Sequence, residues 1–153
     1  MQITYRKATL ADVVKMQELV RVEVENGIIL ARSNDEISTN IRSYILACEG
    51  DEIIGFCALH IHTATLAEIR SLIVKDILRG KKIGENLVNK ALEEAAILGI
   101  KEVLSLTYKQ SFFERLGFHV IPKESLPEHK IWADCIKCKH FPVCNEVSLI
   151  KQL

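Results

Sequence analysis

The residues best equipped for chemistry in this sequence lie between positions 60 and 84. Arg79-Gly80-Lys81-Lys82-Ile83-Gly84 places three cations and two glycines just ahead of a stretch with helical apolar spacing. A helix N-terminus exposes unpaired N–H groups and the positive end of a dipole, glycines permit close backbone approach, and cations attract phosphate. No Gly-Lys-Ser/Thr or Gly-x-Gly-x-x-Gly pattern is present, so the turn fits an ordinary basic loop as well as an anion cradle. Upstream, Glu68 and Arg70 stand two apart in an apolar, β-branched run. Period-two alternation predicts that they share a strand face with Leu72 and Val74. A carboxylate paired with Arg70 is the plain reading of Glu68, and a cation in so apolar a strand needs a partner. His60 and His62 also stand two apart and titrate in the range useful for proton transfer, although two His at that spacing are more often partly exposed strand residues than bases or metal ligands. Arg32 ends the apolar loop Ile28–Ala31, while Lys109 and Lys130 fit solvated surface cations.

A second constellation is Cys135-x-x-Cys138 with Cys144 and His140. One Cys-x-x-Cys pair with a third Cys and a His has the ligand types of a structural zinc site, and three separate thiols is the alternative. Cys48 and Cys57 sit in strand-like runs and read as small core residues.

These side chains need a scaffold to position them. Leu66–Val74 reads as a central strand, and the following helix carries Leu87, Val88, Ala91, Leu92, Ala95 and Ile97 near helical spacing, capped by Gly99. Strands are predicted at Ile3–Arg6, Tyr44–Cys48, Ile53–His62, Val103–Thr107, Phe118–Ile121 and Val147–Ile150. Thr9–Asp12 opens a helix running to about Val24, and Ser33–Glu36 has the capping-box pattern of a shorter one. A further short helix lies near Ser111–Leu116. Pro122–Glu146 is a long irregular connection, of the kind that is usually functional or otherwise constrained. The mixture gives an α/β or α+β domain over 1–153.

Twenty basic and twenty acidic residues cancel, leaving no electrostatic footprint for nucleic acid. The apolar content of 48% supports a packed core. No apolar run approaches a membrane span, and the N-terminus lacks a signal-peptide core, so a cytoplasmic protein with reduced thiols is expected. A homodimer is the default expectation for assembly.

The turn at Arg79–Gly84 resembles the pyrophosphate loop of the GNAT N-acetyltransferases, Arg/Gln-x-x-Gly-x-Gly/Ala after a central strand, with Lys82 where the middle Gly usually stands. Phe112–Phe118, FFERLGF, is similar to a second motif of that family. The element order matches over about the first 120 residues. Three further stretches, Glu25–Ser33, Glu68–Leu72 and Leu126–Trp132, resemble the acetyltransferase domain of the N-acetylglutamate synthases, in the short form without an amino-acid-kinase domain.

The resemblance implies a mostly antiparallel twisted sheet with helices on both faces and a central strand splayed from its neighbour after Val74. It implies an acetyl-CoA-dependent N-acetyltransferase with a small amino-acid substrate, glutamate being the expected acceptor in the first step of arginine biosynthesis. Leu72, Ile73 and Val74 would meet the pantetheine, and Arg79, Gly80, Lys81, Lys82, Ile83 and Gly84 the pyrophosphate. Glu68 would take the ammonium proton, directly or through water. Arg32 and Arg70, with Lys109 and Lys130 behind them, would hold the carboxylates. Many relatives place a Tyr where Phe113 stands here, leaving Tyr108 and Tyr44 as the phenols able to protonate the departing thiolate. Another small amine, a protein N-terminus, or a non-catalytic acyl-CoA-binding or partner-docking module are the competing readings.

Overall fold

The structure, a computed structural model, describes residues 2–125 and 146–153. Its elements run β1 (Thr4–Lys7), α1 (Val13–Glu25), α2 (Asn34–Thr39), β2 (Tyr44–Glu49), β3 (Glu52–Ile61) and β4 (Leu66–Val74). They continue with α3 (Ile83–Leu98), β5 (Glu102–Thr107), α4 (Gln110–Arg115), β6 (His119–Ile121) and β7 (Val147–Gln152). The strands form one sheet of seven in the order β1-β2-β3-β4-β5-β7-β6, antiparallel throughout except for β4 beside β5. The last strand inserts between β5 and β6, a placement that no local pattern in the sequence announces.

Local signals set the helix ends. Ser33 Oγ accepts from the Glu36 N–H at 3.0 Å, closing the expected capping box on α2. Gly99 caps α3 with φ +86°, a left-handed conformation that costs glycine little. Each face of the sheet carries its own core. On one, Met16 and Val20 of α1 and Ile37 of α2 pack on Leu46, Phe56, Ala58 and Ile73. On the other, Leu87, Val88, Ala91 and Ala95 of α3 and Phe113 of α4 cover Ile54, Cys57, Ala67, Ile69 and Val103. Ile97, expected on the packed stripe of α3, is instead 85% exposed, because it lies off the face defined by Leu87, Ala91 and Ala95. Cys48 and Cys57 are buried free thiols, and burial pushes the Cys57 thiol up to about 12, leaving it an inert core side chain.

The central strand departs from its expected regularity. Opposite β3, Ile73 pairs with Phe56 but Arg70 with Ala58, so β4 carries one more residue than its partner in this interval. Ser71 takes up the excess with φ +59°. This is a β-bulge, which reverses the side-chain alternation beyond it. Leu72 and Val74 therefore pack on the α3 side with Ala67 and Ile69, and do not share the face of Glu68 and Arg70. Gly55, opposite Val74, fits where a Cβ would stand 2.8 Å from the Ile73 carbonyl oxygen, so the two strands approach too closely there for any side chain.

An ion pair ties β1 to the start of α1. The Arg6 guanidinium donates to both Asp12 carboxylate oxygens at 2.9 Å, and the Thr9 N–H donates to Asp12 Oδ2 at 2.7 Å. Arg6, then these N–H and O–H donors, hold the Asp12 carboxyl well below the usual carboxylate range, against the opposing effect of burial. A depressed native pKa contributes stability above the unfolded value, near 4, that is lost as pH falls toward the native one. Asp12→Asn is expected to lower unfolding free energy at pH 7 by about 1 kcal/mol, a figure discounted for the half-exposed Arg6. Urea melts should show this gap closing below about pH 4; a gap independent of pH would refute the assignment.

Candidate active site

The parallel pairing of β4 with β5 lasts only from Leu66↔Glu102 to Glu68↔Leu104, although both strands continue. The sheet thus opens six residues earlier than expected, after Glu68 and not after Val74. A cleft occupies the opening. Its walls are Ile69–Ile73 of β4, Ser105–Thr107 of β5 and Gly27–Leu30 of the loop after α1. The apolar character of that loop, unusual for a connection, is explained by this position.

Several residues singled out for their chemistry converge here. Glu68, Arg70, Arg32, Tyr108, Lys109 and Arg79 all line the cleft, with Glu23 of α1 facing them. Glu68 is 1% exposed, and its Oε1 lies 2.9 Å from His62 Nε2. A buried carboxylate needs such a partner. Arg70 follows two residues later on the same face, just ahead of the bulge. The Arg32 side chain is 10% exposed, stands 3.8 Å from Glu36 and has its carbonyl fixed by Gln17 Nε2 at 2.7 Å. The loop after α1 is thereby tethered so that its cation faces β4. Desolvation first, and the Arg79 charge second, lower the pKa of Lys109 at the cleft mouth, even though much of its surface reaches solvent.

Tyr108 is 37% exposed at the end of β5. Phe113 is buried against Phe112 and Phe118, at centroid distances of 5.1 and 5.2 Å, and serves the core. Tyr44 is buried on the α1 side and stacks edge-on with Phe56. Of the two phenols considered, Tyr108 is the one that lines the cleft.

The basic turn lies beyond the cleft at the N-terminus of α3. Lys82 immediately precedes the helix with φ +62°, adopting the left-handed conformation natural to the glycine it replaces. Arg79, Gly80, Lys81 and Lys82 are exposed, with Arg79 Nη2 2.9 Å from Asp76 Oδ1. Ile83, expected at the anion, has its side chain in the core, so only its N–H is available to a ligand. Val74 and Gly84 meet at the junction of strand and helix, where a Cβ on Gly84 would lie 3.7 Å from Val74 Cγ2. Lys130 and the cluster Cys135, Cys138, His140 and Cys144 lie outside the described residues, as does Leu126–Trp132. Among the described residues no group of His, Cys, Asp and Glu is arranged to hold a metal, and no helix is long and apolar enough to cross a membrane.

Residues 14–118 match the acetyltransferase (GNAT) family. The chain belongs to that family. It is 39% identical, over 97% of its length and 95% of the relative's, to an uncharacterised N-acetyltransferase of Chlorobaculum tepidum. It is also 30% identical over 80% of its length to an amino-acid acetyltransferase of Aeromonas salmonicida, but spans only 28% of that protein. The N-acetylglutamate synthase of Neisseria gonorrhoeae, solved with coenzyme A and N-acetyl-glutamate, superposes with a TM-score of 0.89 at 23% identity, over the whole of this chain and 35% of that one. The GNAT chain is an N-acetyltransferase, and its cleft lies at the strand opening described above.

Sequence periodicity could not find the bulge or the His62–Glu68 contact. The bulge has a left-handed Ser at its centre, a conformation costing about 1–2 kcal/mol in a non-glycine residue. Ser71→Gly is expected to preserve stability or raise it by up to about 1 kcal/mol. Ser71→Val should lower it by roughly 2 kcal/mol, because β-branching is incompatible with that backbone. Chemical denaturation of the two variants checks this; a Val variant as stable as the parent would exclude the bulge.

Proposed function

We propose that this N-acetyltransferase transfers the acetyl group of acetyl-CoA to the α-amine of L-glutamate. The observation that carries the reading is the convergence of Arg32 and Arg70 with buried Glu68 on one cleft where β4 leaves β5. A dicarboxylate amine calls for planar cationic partners, and two guanidinium groups beside a carboxylate supply two anion sites and one proton acceptor. The name of the Aeromonas relative agrees with an amino-acid acceptor, and the Neisseria N-acetylglutamate synthase, solved with coenzyme A and N-acetyl-glutamate, agrees with an acidic one and a coenzyme A donor.

The residues fit a thioester donor of this kind. Beyond Glu68 one side of β4 turns from β5 toward the cleft, which offers backbone groups near Ile73 and Val74 to an amide-bearing arm. Arg79, Lys81, Lys82 and the first N–H groups of α3 form a basic cradle for a diphosphate. Acetyl-CoA supplies the activated acetyl group. Glu68 accepts the proton of the substrate ammonium, whose nitrogen lone pair then attacks the thioester carbonyl. Donors in the cleft oppose the charge that develops on the carbonyl oxygen. As the tetrahedral adduct collapses, the C–S bond breaks and the Tyr108 hydroxyl is the proton donor assigned to the departing thiolate, the role denied to Phe113. The second proton that nitrogen sheds in becoming the amide restores the phenol. The cytoplasm and arginine biosynthesis are the setting this activity would serve.

Free-thiol release from acetyl-CoA across a panel of amino acids tests the assignment. Glutamate should give the highest kcat/KM, and Arg32→Ala should raise its KM by about 10- to 100-fold, the effect of losing a charge-assisted hydrogen bond. The KM for acetyl-CoA should stay within about twofold. Turnover with another amine but none with glutamate would overturn the substrate, and equal losses for both substrates would remove Arg32 from its role.

A further inference from the structure

Glu68 does not stand alone at the base of the cleft. His62 lies directly beyond β3, on the short connection to β4, and is not among the described cleft-lining residues. Its backbone N–H donates to the Leu66 carbonyl at 2.9 Å, while Thr63 Oγ1 accepts from the Leu66 N–H at 3.0 Å. The connection is thus fastened to the first residue of β4, and the His62 ring turns back along the sheet toward Glu68. The two side chains are each 2% exposed, with Nε2 and Oε1 2.9 Å apart. His60, paired across the ladder with Glu68, sets its ring 4.8 Å from that of His62 at an interplanar angle of 78°. Backbone, ring contact and hydrogen bond together leave the imidazole little freedom.

We propose that His62 is the positioning residue for the general base, donating its Nε2–H to Glu68 Oε1 so that Oε2 faces the substrate amine. The inference rests on the assignment of Glu68 as base. Two ionisable groups buried this completely are costly unless each satisfies the other, and a purely apolar strand end would serve the fold as well or better. A carboxylate that must accept a proton in a fixed direction has the opposite requirement. Its rotation about the last side-chain bond is soft, and one donor on one oxygen removes that freedom. In the step itself an N–H bond of the ammonium breaks and an Oε2–H bond forms. The electron pair stays on nitrogen to attack the acetyl carbon, and the Nε2–H bond of His62 is unchanged throughout. His62 acts through Glu68 and does not touch the substrate.

Thiol-release kinetics on the full chain test the proposal. His62→Phe keeps the ring volume but removes the donor, whereas the Nε2 amide of His62→Gln stands in for the imidazole N–H. His62→Phe should lower kcat by about 10- to 100-fold, the scale of a misplaced catalytic group, with both KM values within about twofold. His62→Gln should recover kcat to within about threefold of the parent. Added to Glu68→Gln, the Phe substitution should cost nothing further, since both remove the same device. A Phe variant with parental kcat, an unrescued Gln variant, or losses that multiply in the double mutant would each overturn the proposal. If glutamate is not acetylated, the same series is run with the amine that is, so the substrate assignment can fail separately. Independently of turnover and of any variant's folding, the ring 15N shifts of His62 in the parent protein should report a proton on Nε2. An unprotonated Nε2 would overturn the geometry.

Discussion

One extra residue in β4 governs the rest of this structure. Were β4 regular, Glu68, Arg70, Leu72 and Val74 would form a single row, and one face of the sheet would have to accommodate both the charged and the apolar members. The bulge at Ser71 divides the row. Glu68 and Arg70 stay on the side reached by α1 and its following loop, while Leu72 and Val74 turn to pack under α3. A bulge also increases local twist and bends the strand that carries it. The ladder between β4 and β5 ends at Glu68, just ahead of that point. The left-handed Ser71 is backbone strain at the wall of the cleft, the setting in which such strain tends to be retained.

The remaining elements follow from that division. A bent central strand needs a neighbour that can come close, and Gly55 provides it, with no room for a Cβ beside the Ile73 carbonyl. The opening gathers charged groups, and several of the segments that carry them are held by protein. His62 engages Glu68, the tether from Gln17 fixes the Arg32 loop, and Asp76 faces Arg79. α3 is anchored by Ile83, Leu87 and Val88 in the core, and its N-terminus is thereby fixed beside the end of β4. The proposed cofactor cradle at the start of α3 and the Glu68–Arg70 part of the proposed acceptor site are in this way carried on one strand–turn–helix unit.

Much of this was legible in the sequence where the signal is local. Leu66–Val74 is a strand over the range its β-branched content indicates, Ser33 and Glu36 form their capping box, and Gly99 ends α3. Arg32 was legible as a candidate because a lone cation ending an apolar loop is an odd composition for solvent, and it does line the cleft. What could not be read depends on contacts distant in sequence or on backbone angles. Nothing in the alternation of β4 marks Ser71 as left-handed. Lys82 in a glycine-like conformation is invisible for the same reason. The pairing of His62 with Glu68 depends on how the β3–β4 connection folds back, and period-two reasoning grouped His62 only with His60. Ile97 continues a helical stripe on paper but faces solvent, because the sheet covers a narrower arc of α3 than the apolar residues span.

The central claim is that the opening between β4 and β5 serves as a joint site, with donor and acceptor held at its two ends. Backbone amide shifts recorded during separate titrations with coenzyme A and with L-glutamate test it most directly. Coenzyme A should perturb Ile69–Val74 and Gly80–Gly84, and glutamate the amides and guanidinium signals of Arg32 and Arg70. Perturbations confined to the outer face of α1, or to β6 and β7, would contradict the account.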